Sequence, residues 1–399
     1  MRQGRFRVAV RRFGPFESAI AKQWETFERG ARTGLELEAV AMDLHPLFDA
    51  TIANPAGRDW DVAFVNTDWV AAAYRDAALC DLSQLLRDDP PEDYPGGWAA
   101  SLLRLQNLNR RILGVPYHDG PECLIYRKDL LERAGEAVPA TWDEFRRLAR
   151  RLHRPDENCY GTIFAAYPDG HNTVYDFCLQ LWTRGGELTD KQGRFTLASP
   201  QAAEALTFLR EIVNDPSAVH PACRQMDSVK SGLAFAAGEA SMMVNWFGFA
   251  AMAETLVDSP VKGKIGIAQV PHAMGCSGTS LNIYWILSIM SGAVHKETAW
   301  RFLRHCASSG MDRLLTLEGG IGCRKSTWAD ETVNRTIPFY RALEELHANA
   351  RELPRLEVWP QVAQIIDRMV TAAIDSNEAV ESIALRGQAD VDGLWSGQL

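Results

Sequence analysis

Acidic, aromatic and imidazole side chains cluster in one short segment near residue 120. Residues 118–122 (HDGPE) bring His118, Asp119 and Glu122 within five positions, between Tyr117 and Tyr126. Carboxylates accept hydrogen bonds from hydroxyl or ammonium groups, and an imidazole can donate or accept one. A turn organised by Asp119, with glycine supplying an unusual backbone angle, would account for only part of this cluster. The pattern therefore favours a site that binds a polar molecule.

Two further segments end in a tryptophan. Asp68 and Trp69 follow the apolar run DVAFV at 61–65, which is typical of a strand covered on both faces. Ligands of open α/β sheets bind beyond such strand ends, although Asp68 could equally cap a helix that begins near Trp69. Trp246 closes the run MMVNW, where its ring could stack on a sugar or pack in the core. Both interpretations stay open for each segment.

Motifs for catalysis, cofactors and metals are absent from the sequence. It has no G-x-S-x-G, H-E-x-x-H, P-loop or dinucleotide fingerprint. Its nine histidines and eight cysteines are scattered without metal-ligand spacing, and most cysteines are predicted to be buried free thiols. We therefore predict no cofactor and no metal. The alternative is a carbohydrate-active enzyme that uses two carboxylates. The sequence does not identify such a pair, because the choice depends on the distance between the two carboxylates.

Composition excludes several classes of protein. Forty-two Lys and Arg face fifty-one Asp and Glu in 399 residues, a net charge of −9 that argues against nucleic-acid binding. Apolar runs fall short of the roughly 18–20 residues that cross a bilayer. At 46% hydrophobic residues a packed core is expected, and the length suits two large domains.

The predicted elements alternate between strands and helices. Apolar residues alternate over 6–10, and a helical period follows from Phe16 to Phe27, with Gly30 or Gly34 as its C-terminal cap. The first 66 residues thus predict strand, helix, strand, crossover and strand. Thr141 and Glu144 form a capping-box pattern, and residues 361–373 keep helical spacing. The fold class is predicted to be α/β.

Several ordered segments resemble one protein family. Residues 113–117 (LGVPY), 124–131 (LIYRKDLL), 139–145 (PATWDEF) and 235–242 (FAAGEASM) are similar to bacterial ABC-transporter solute-binding proteins of family 1, the maltose-binding type. The resemblance covers nearly the whole chain. It implies the type II periplasmic-binding-protein fold, in which each of two lobes is a mixed sheet flanked by helices and several hinge crossings join them. The expected lobes are 1–117 with 262–307, and 118–261 with 308–399.

The resemblance also implies contacts with a sugar or related solute enclosed between the lobes. The residues at matching places are Phe13, Asp68, Trp69, His118, Asp119, Glu122, Trp246, Ser280, Asn282, Tyr284 and Arg324. At Ser280–Asn282 relatives commonly carry a Gly-Gly pair, so this sequence departs from the pattern there. Arg324 could instead form an ion pair between the lobes.

The expected function is the carbohydrate-binding component of an ABC importer, which captures its solute by hinge closure and catalyses no reaction. An intracellular ligand sensor is a further alternative, because residues 1–5 (MRQGR) lead into a strand without the apolar region of a signal peptide. Expected partners are a small polyhydroxylated ligand and a membrane permease, with no nucleic acid, and the protein is expected to be a monomer. The family implies a periplasmic or otherwise extracytoplasmic location, although a cytoplasmic one is also compatible with this N-terminus.

Overall fold

The protein is described by a computed structural model that covers residues 4–54 and 59–396. Contacts within the chain divide it into two compact units. Unit 1 contains the described residues up to Pro121 together with Asn282–His347 and Glu352–Glu357. Unit 2 contains Glu122–Leu281, Ala348–Arg351 and the described residues from Val358 onward. Each unit combines a sheet with helices, as the α/β prediction requires.

Unit 1 is built on a five-stranded mixed sheet of β1 (Arg5–Arg11), β2 (Glu36–Met42), β3 (Val62–Asn66), β6 (Val115–His118) and β12 (Trp285–Ile289), with a separate pair formed by β4 (Asn107–Leu108) and β5 (Arg111–Ile112). The strand order in the sheet is β2-β1-β3-β12-β6. Strands β2 and β3 run parallel to β1, whereas β12 runs antiparallel to both β3 and β6. The central strand β3 is buried along its whole length, as its apolar run predicts.

Helices surround this sheet. They are α1 (Gly14–Ala31), α2 (Leu44–Phe48), α3 (Val70–Arg75), α4 (Ser83–Asp88), α5 (Ala100–Leu105), α12 (Lys296–Cys306), α13 (Ser309–Leu317), α14 (Lys325–Ala329), α15 (Glu331–Thr336) and α16 (Leu343–Ala348), whose last residue belongs to unit 2.

Helix α1 shows how sequence spacing becomes packing. Its predicted apolar face is buried, and Trp24 stacks on Phe6 of β1 with ring centroids 4.6 Å apart. The predicted glycine cap is wrong: Gly30 lies inside the helix, and the left-handed residue at its C-terminus is Arg32, with φ 47°. Arg32 donates its backbone N–H to the Glu28 carbonyl at 2.9 Å, a bond that any residue type can make.

Unit 2 is built on a four-stranded mixed sheet of β7 (Glu122–Arg127), β8 (Tyr160–Ile163), β9 (Ala240–Trp246) and β10 (Ile265–Ala268), with a separate parallel pair of β11 (Ser280–Leu281) and β13 (Ala350–Arg351). The strand order in the sheet is β10-β7-β9-β8. Strand β7 runs antiparallel to β9 and β10, while β8 runs parallel to β9.

The helices of unit 2 confirm two detailed predictions. Thr141 and Glu144 form the complete capping box at the start of α7, and the apolar stripe predicted over 361–373 is buried in α17. The helices are α6 (Lys128–Ala134), α7 (Trp142–Arg151), α8 (Asn172–Trp182), α9 (Pro200–Val213), α10 (Ser228–Ala236), α11 (Phe247–Thr255), α17 (Trp359–Asp375) and α18 (Val380–Ser396).

The units divide the chain at positions that differ from the predicted lobe boundaries. Residues 262–281, predicted with the N-terminal lobe, lie in unit 2 because β10 pairs with β7. Residues 308–347, predicted with the C-terminal lobe, lie in unit 1 because α13 packs on α1. There Gln23 Nε2 donates to the Met311 carbonyl at 3.1 Å. Strand pairing and helix packing decide this membership, and neither is visible in local sequence.

Two global features follow from the described residues. No helix in residues 4–54 and 59–396 is both long and apolar enough to cross a membrane. All eight cysteines are free thiols, five of them buried, in agreement with the prediction for most of them.

Candidate functional site

The predicted site residues separate into two sets, one in each unit. The unit 1 set comprises Phe13, Asp68, Trp69, His118, Asp119, Asn282, Tyr284 and Arg324, and the unit 2 set comprises Glu122, Trp246 and Ser280. Each set is described below within its own unit.

In unit 1, sheet topology brings several of these residues to one edge. Phe13 and Asp68 follow the carboxyl ends of the parallel strands β1 and β3. Strand β12 is antiparallel, so its first residue lies at the same edge, where Trp285 is opposite Asn66 on one side and His118 on the other. This is the edge at which open α/β sheets bind ligands.

The residues after β3 answer one question that the sequence left open. The side-chain oxygen of Asn66 accepts the backbone N–H of Asp68 at 3.3 Å, so Asn66, and not Asp68, caps the turn. Trp69 is buried and meets Trp285 edge to face, with ring centroids 5.5 Å apart. Packing therefore accounts for Trp69, while Asp68 stays partly exposed.

Phe13 lies at the start of α1 and is also partly exposed. Its ring packs edge to face against the Phe16 ring, with ring centroids 5.0 Å apart.

His118 is fixed as a neutral imidazole. Its Nδ1 accepts the backbone N–H of Ile321 at 2.9 Å, and its ring lies edge to face against Phe16, with centroids 4.6 Å apart. Burial lowers the pKa of His118 to about 3, although the neighbouring Asp119 acts in the opposite direction. With Nδ1 used as an acceptor, a neutral ring carries its proton on Nε2. His118 can thus offer one hydrogen-bond donor.

Asp119 is held by a chain of buried side chains. One carboxylate oxygen, Oδ2, lies 2.7 Å from Nε2 of His347, and Nδ1 of that ring lies 3.0 Å from the Ser101 hydroxyl. The His347 ring also stacks on Trp328, with centroids 5.1 Å apart. The second oxygen of Asp119, Oδ1, is buried without a hydrogen-bond partner in the described part of the chain.

The order Ser101, His347, Asp119 matches the connectivity of a hydrolase triad. All three residues are buried, with exposed fractions of 7%, 8% and 1%. The serine lies on α5, where its hydroxyl contacts His347 and its backbone carbonyl accepts from Asn282. The network therefore suits the orientation of Asp119 as a fixed acceptor, and sequence reasoning missed it because its members lie far apart in the chain.

Asn282 and Tyr284 are held by the same helix, α5. Asn282 Nδ2 donates to the Ser101 carbonyl at 3.1 Å, and its Oδ1 is buried with no partner among the described residues. The Tyr284 hydroxyl donates to the Leu102 carbonyl, and burial raises the pKa of this phenol well above its ordinary value. Asn282 thus retains an acceptor, whereas the hydroxyl proton of Tyr284 is already used.

Arg324 is buried to 1% exposure, and the charged partners of its guanidinium lie within unit 1. It donates to the carbonyls of Glu92 and Ala307 at 2.8 and 2.9 Å and pairs with Asp93 at 3.1 Å. The guanidinium also lies over Trp98, 4.6 Å from the ring centroid. These contacts give Arg324 a structural role within unit 1. The ion pair with Asp93 is therefore observed where the sequence offered an ion pair between lobes as the alternative.

In unit 2, Glu122 and Trp246 are directly opposite each other in β7 and β9. The Trp246 ring meets Tyr175 of α8 edge to face, with centroids 5.6 Å apart. Among the tryptophans whose side chains are described, only Trp246 and Trp285 are not buried. Trp246 can therefore present part of its ring to a ligand, which answers in part whether it belongs to the core.

Glu122 is buried without compensation of its charge. Its side chain is 4% exposed, and Oε2 has no hydrogen-bond partner among the described residues. Ser280 donates its hydroxyl to the backbone carbonyl of Glu122, so it supports the strand and not the carboxylate. Burial raises the pKa of Glu122 well above its ordinary value, and repulsion from Asp176 adds to this effect.

Asp176 and Tyr175 are residues that sequence reasoning missed. They lie on α8, where Tyr175 is buried and Asp176 is partly exposed, and no local sequence pattern marks either as a site residue. No three His, Cys, Asp or Glu side chains within the described ranges are arranged to hold a metal ion.

The sequence of this chain matches one protein family. Residues 13–312, more than half of the chain, match the family described as bacterial extracellular solute-binding protein. The chain belongs to this family. The match confirms the resemblance predicted from sequence and the prediction of a binding protein instead of an enzyme, since the family consists of ABC-transporter solute-binding proteins.

Individual relatives agree with this membership. A probable ABC transporter-binding protein of Deinococcus radiodurans is 22% identical over 320 residues, covering 79% of this chain and 74% of the relative. The maltose-bound structure of T. maritima MalE3 is 25% identical with a TM-score of 0.89, covering 98% of this chain and 99% of its own. A solute-binding protein of Agrobacterium radiobacter K84 in complex with ribitol is 23% identical with a TM-score of 0.88, covering 98% of both chains. These similarities confirm the predicted two-lobed fold type.

Proposed function

We propose that this protein is the substrate-binding component of an ABC importer for a carbohydrate or polyol. The observation that carries the proposal is the partly exposed Trp246 ring of unit 2, opposite Glu122, whose Oε2 has no partner among the described residues. An aromatic face beside a hydrogen-bond acceptor suits a sugar or polyol, which has C–H faces and hydroxyl donors.

Relatives with stated ligands support the same class of solute. A mannitol-binding protein of Pseudomonas aeruginosa is 25% identical over 296 residues, covering 70% of this chain and 66% of that protein. The two similar solved structures carry maltose and ribitol. In unit 1, Asp119 and Asn282 each keep an acceptor without a partner among the described residues, and His118 offers an Nε2–H donor; such groups also suit hydroxyls.

The first test is a thermal-shift screen across monosaccharides, oligosaccharides and polyols, followed by calorimetry with each stabilising compound. A ligand that binds only the folded state raises its melting temperature by mass action. Absence of any stabilising sugar or polyol would argue against this solute class.

The second test removes the aromatic surface. We expect Trp246→Ala to weaken sugar affinity by about 10- to 100-fold, which corresponds to about 1.4 to 2.7 kcal/mol, because it deletes an apolar contact. The matched variant Trp246→Phe retains a ring and should lose less. Asp119→Ala should also weaken binding, since it removes the unpartnered oxygen. Unchanged affinity in both alanine variants, measured by calorimetry, would refute these assignments.

The partner and the location follow from the family and form part of this proposal. A membrane permease would receive the loaded protein, which acts outside the cytoplasm as a monomer that does not bind nucleic acid. Stimulation of the ATPase of a reconstituted permease by this protein and its sugar tests the partnership. Capture by hinge closure stays a prediction, and small-angle scattering with and without ligand measures it. An intracellular sensor would bind ligand equally but would not stimulate the permease.

A further inference from the structure

The side chain of Asn245 joins the end of β9 to a neighbouring helix. Asn245 directly precedes Trp246 in β9 and is buried, with 3% exposure. Its Nδ2 donates to the Ser228 carbonyl at 3.1 Å and to the Ser231 hydroxyl at 3.0 Å, both in the first turn of α10. Its Oδ1 accepts the backbone N–H of Trp246 at 2.8 Å. One buried amide therefore connects the backbone of Trp246 to α10.

The partners of this amide fix both its orientation and its residue type. The Trp246 N–H can only donate and the Ser228 carbonyl can only accept, so Oδ1 faces the first and Nδ2 faces the second. A carboxylate in place of the amide would turn an oxygen towards the Ser228 carbonyl, and an apolar side chain would remove the acceptor of the Trp246 N–H. The Ser228 carbonyl would still accept the Ser231 hydroxyl, at 3.1 Å. Loss of the amide therefore acts mainly on Trp246.

Helix α10 is a firm support for this amide. Its start is capped by Asp227, whose side chain accepts the Lys230 N–H at 2.8 Å. The helix also lies close to α11, since a Cβ added at Gly232 would be 2.4 Å from Cδ1 of Phe249. The groups that hold the amide therefore belong to a capped and closely packed helix.

The ring of Trp246 is held separately from its backbone. Tyr175 of α8 is buried and meets the ring edge to face, with centroids 5.6 Å apart. Trp246 itself is the residue at which the chain leaves β9 and enters α11, with φ −60° and ψ 136°. The backbone of Trp246 is thus bonded to a side chain anchored on α10, while its partly exposed ring rests on α8. Both contacts exist without a ligand.

Orientation before binding affects the strength of an aromatic contact. A side chain that is mobile in the free protein has to be ordered when the ligand binds, which lowers affinity by about 2- to 10-fold. We infer that Asn245 is a positioning residue, which holds Trp246 in the orientation in which its ring contacts the solute. The inference rests on the proposed function, because the orientation of this ring affects affinity only if a solute contacts it.

Fluorine NMR of the full-length, ligand-free protein labelled with fluorotryptophan tests the positioning without a solute. The Trp246 resonance is identified by its absence from Trp246→Phe. Asn245→Val removes the amide and suits a strand, and Asn245→Ala is the second variant in case valine disturbs folding. We expect one narrow Trp246 resonance in the wild type, and a line that is split or about twofold broader in either variant. A narrow, unsplit Trp246 line in both variants would overturn the inference.

The matched control is Asn214→Ala in the same unit. The Asn214 amide donates to the Arg210 and Ile374 carbonyls at 3.0 and 2.8 Å, away from Trp246. This variant loses bonds from an amide to backbone carbonyls, as Asn245→Ala does, and should keep the Trp246 resonance narrow. A control that broadens the line as much as Asn245→Ala would show a general loss of structure and would overturn the inference.

A double-mutant cycle tests whether the positioning serves binding. Calorimetry with maltose, ribitol or mannitol as the probe should show that Asn245→Val weakens affinity about fivefold when Trp246 is present. In a Trp246→Ala background the loss should be less than about twofold, since the ring that Asn245 orients is gone. Equal losses in both backgrounds would overturn the inference while leaving the proposed function intact. If no sugar or polyol binds the wild type, the proposed function is refuted, and the fluorine spectrum alone decides whether Asn245 positions Trp246.

Discussion

The two units hold their candidate polar groups in different ways. In unit 1 the protein itself binds one side of each group: His347 holds Asp119, the Ser101 carbonyl holds Asn282, and two carbonyls hold Arg324. In unit 2 the Ser280 hydroxyl holds only the backbone of Glu122, and its carboxylate Oε2 is left without a partner in the described residues.

This difference separates a rigid recognition surface from one that depends on its ligand. Groups already oriented by the protein lose little conformational entropy on binding. Buried acids without partners instead cost stability until something compensates their charge. We therefore expect substitutions in unit 1 to alter stability or affinity by disturbing packing and hydrogen bonds. Substitutions at Glu122 and Asp176, the acidic pair of unit 2, should act by changing the charge there.

The largest effect is expected for Arg324→Met in unit 1. Methionine keeps much of the side-chain volume but loses the bonds to the Glu92 and Ala307 carbonyls and the contact with Trp98. Hydrogen bonds from charged groups contribute about 1.5 to 3 kcal/mol, so we expect a loss of about 3 kcal/mol in the free energy of unfolding, measured by urea denaturation.

The control for that variant is Arg29→Met, which removes an arginine of the same unit whose side chain is 70% exposed. It should change stability by less than about 0.5 kcal/mol. A similar small effect at Arg324 would show that the buried guanidinium does not stabilise unit 1. Arg324 would then no longer support the difference between the two units.

An intermediate effect is expected for Asp176→Asn and depends on pH. The pKa of Asp176 is raised from 3.8 to about 8, so the folded protein retains a proton that the unfolded chain releases between these values. Stability contributed by this group is present at low pH and is lost as pH rises towards 8. The ligand-free wild type should lose about 2 kcal/mol relative to Asp176→Asn between about pH 5 and about pH 8.5.

Urea unfolding at both pH values measures this difference, with Asp156→Asn as the exposed control that should follow the wild type. Parallel pH profiles for the wild type and Asp176→Asn would contradict the view that the acidic pair is uncompensated.

The sequence predicts elements better than it predicts these contacts. Thr141 with Glu144 and the apolar stripe of α17 are local patterns, and both are observed. His347 and Asp119 are 228 positions apart, so their contact depends on how α16 packs within unit 1. Asp176 lies on α8, where the helical spacing of the apolar residues does not mark it. Its neighbourhood depends on the contact between Trp246 of β9 and Tyr175 of α8. Single-sequence patterns report local geometry and do not contain these long-range pairings.

The smallest effect is expected for His347→Phe, which tests whether unit 1 orients its acceptor. Phenylalanine can keep the stack on Trp328 but cannot donate to Asp119. We expect sugar affinity to fall about fivefold, or about 1 kcal/mol, because Asp119 loses its fixed orientation. Ser101→Ala leaves the His347–Asp119 bond intact and should cost less.

A double-mutant cycle separates positioning from a general loss of structure. If His347 acts through Asp119, His347→Phe should leave affinity unchanged in an Asp119→Ala background, since the group that it orients is gone. Equal losses in both backgrounds, measured by calorimetry with the same sugar, would show that His347 stabilises unit 1 without positioning Asp119. The comparison between the units would then depend on Arg324 and on the acidic pair alone.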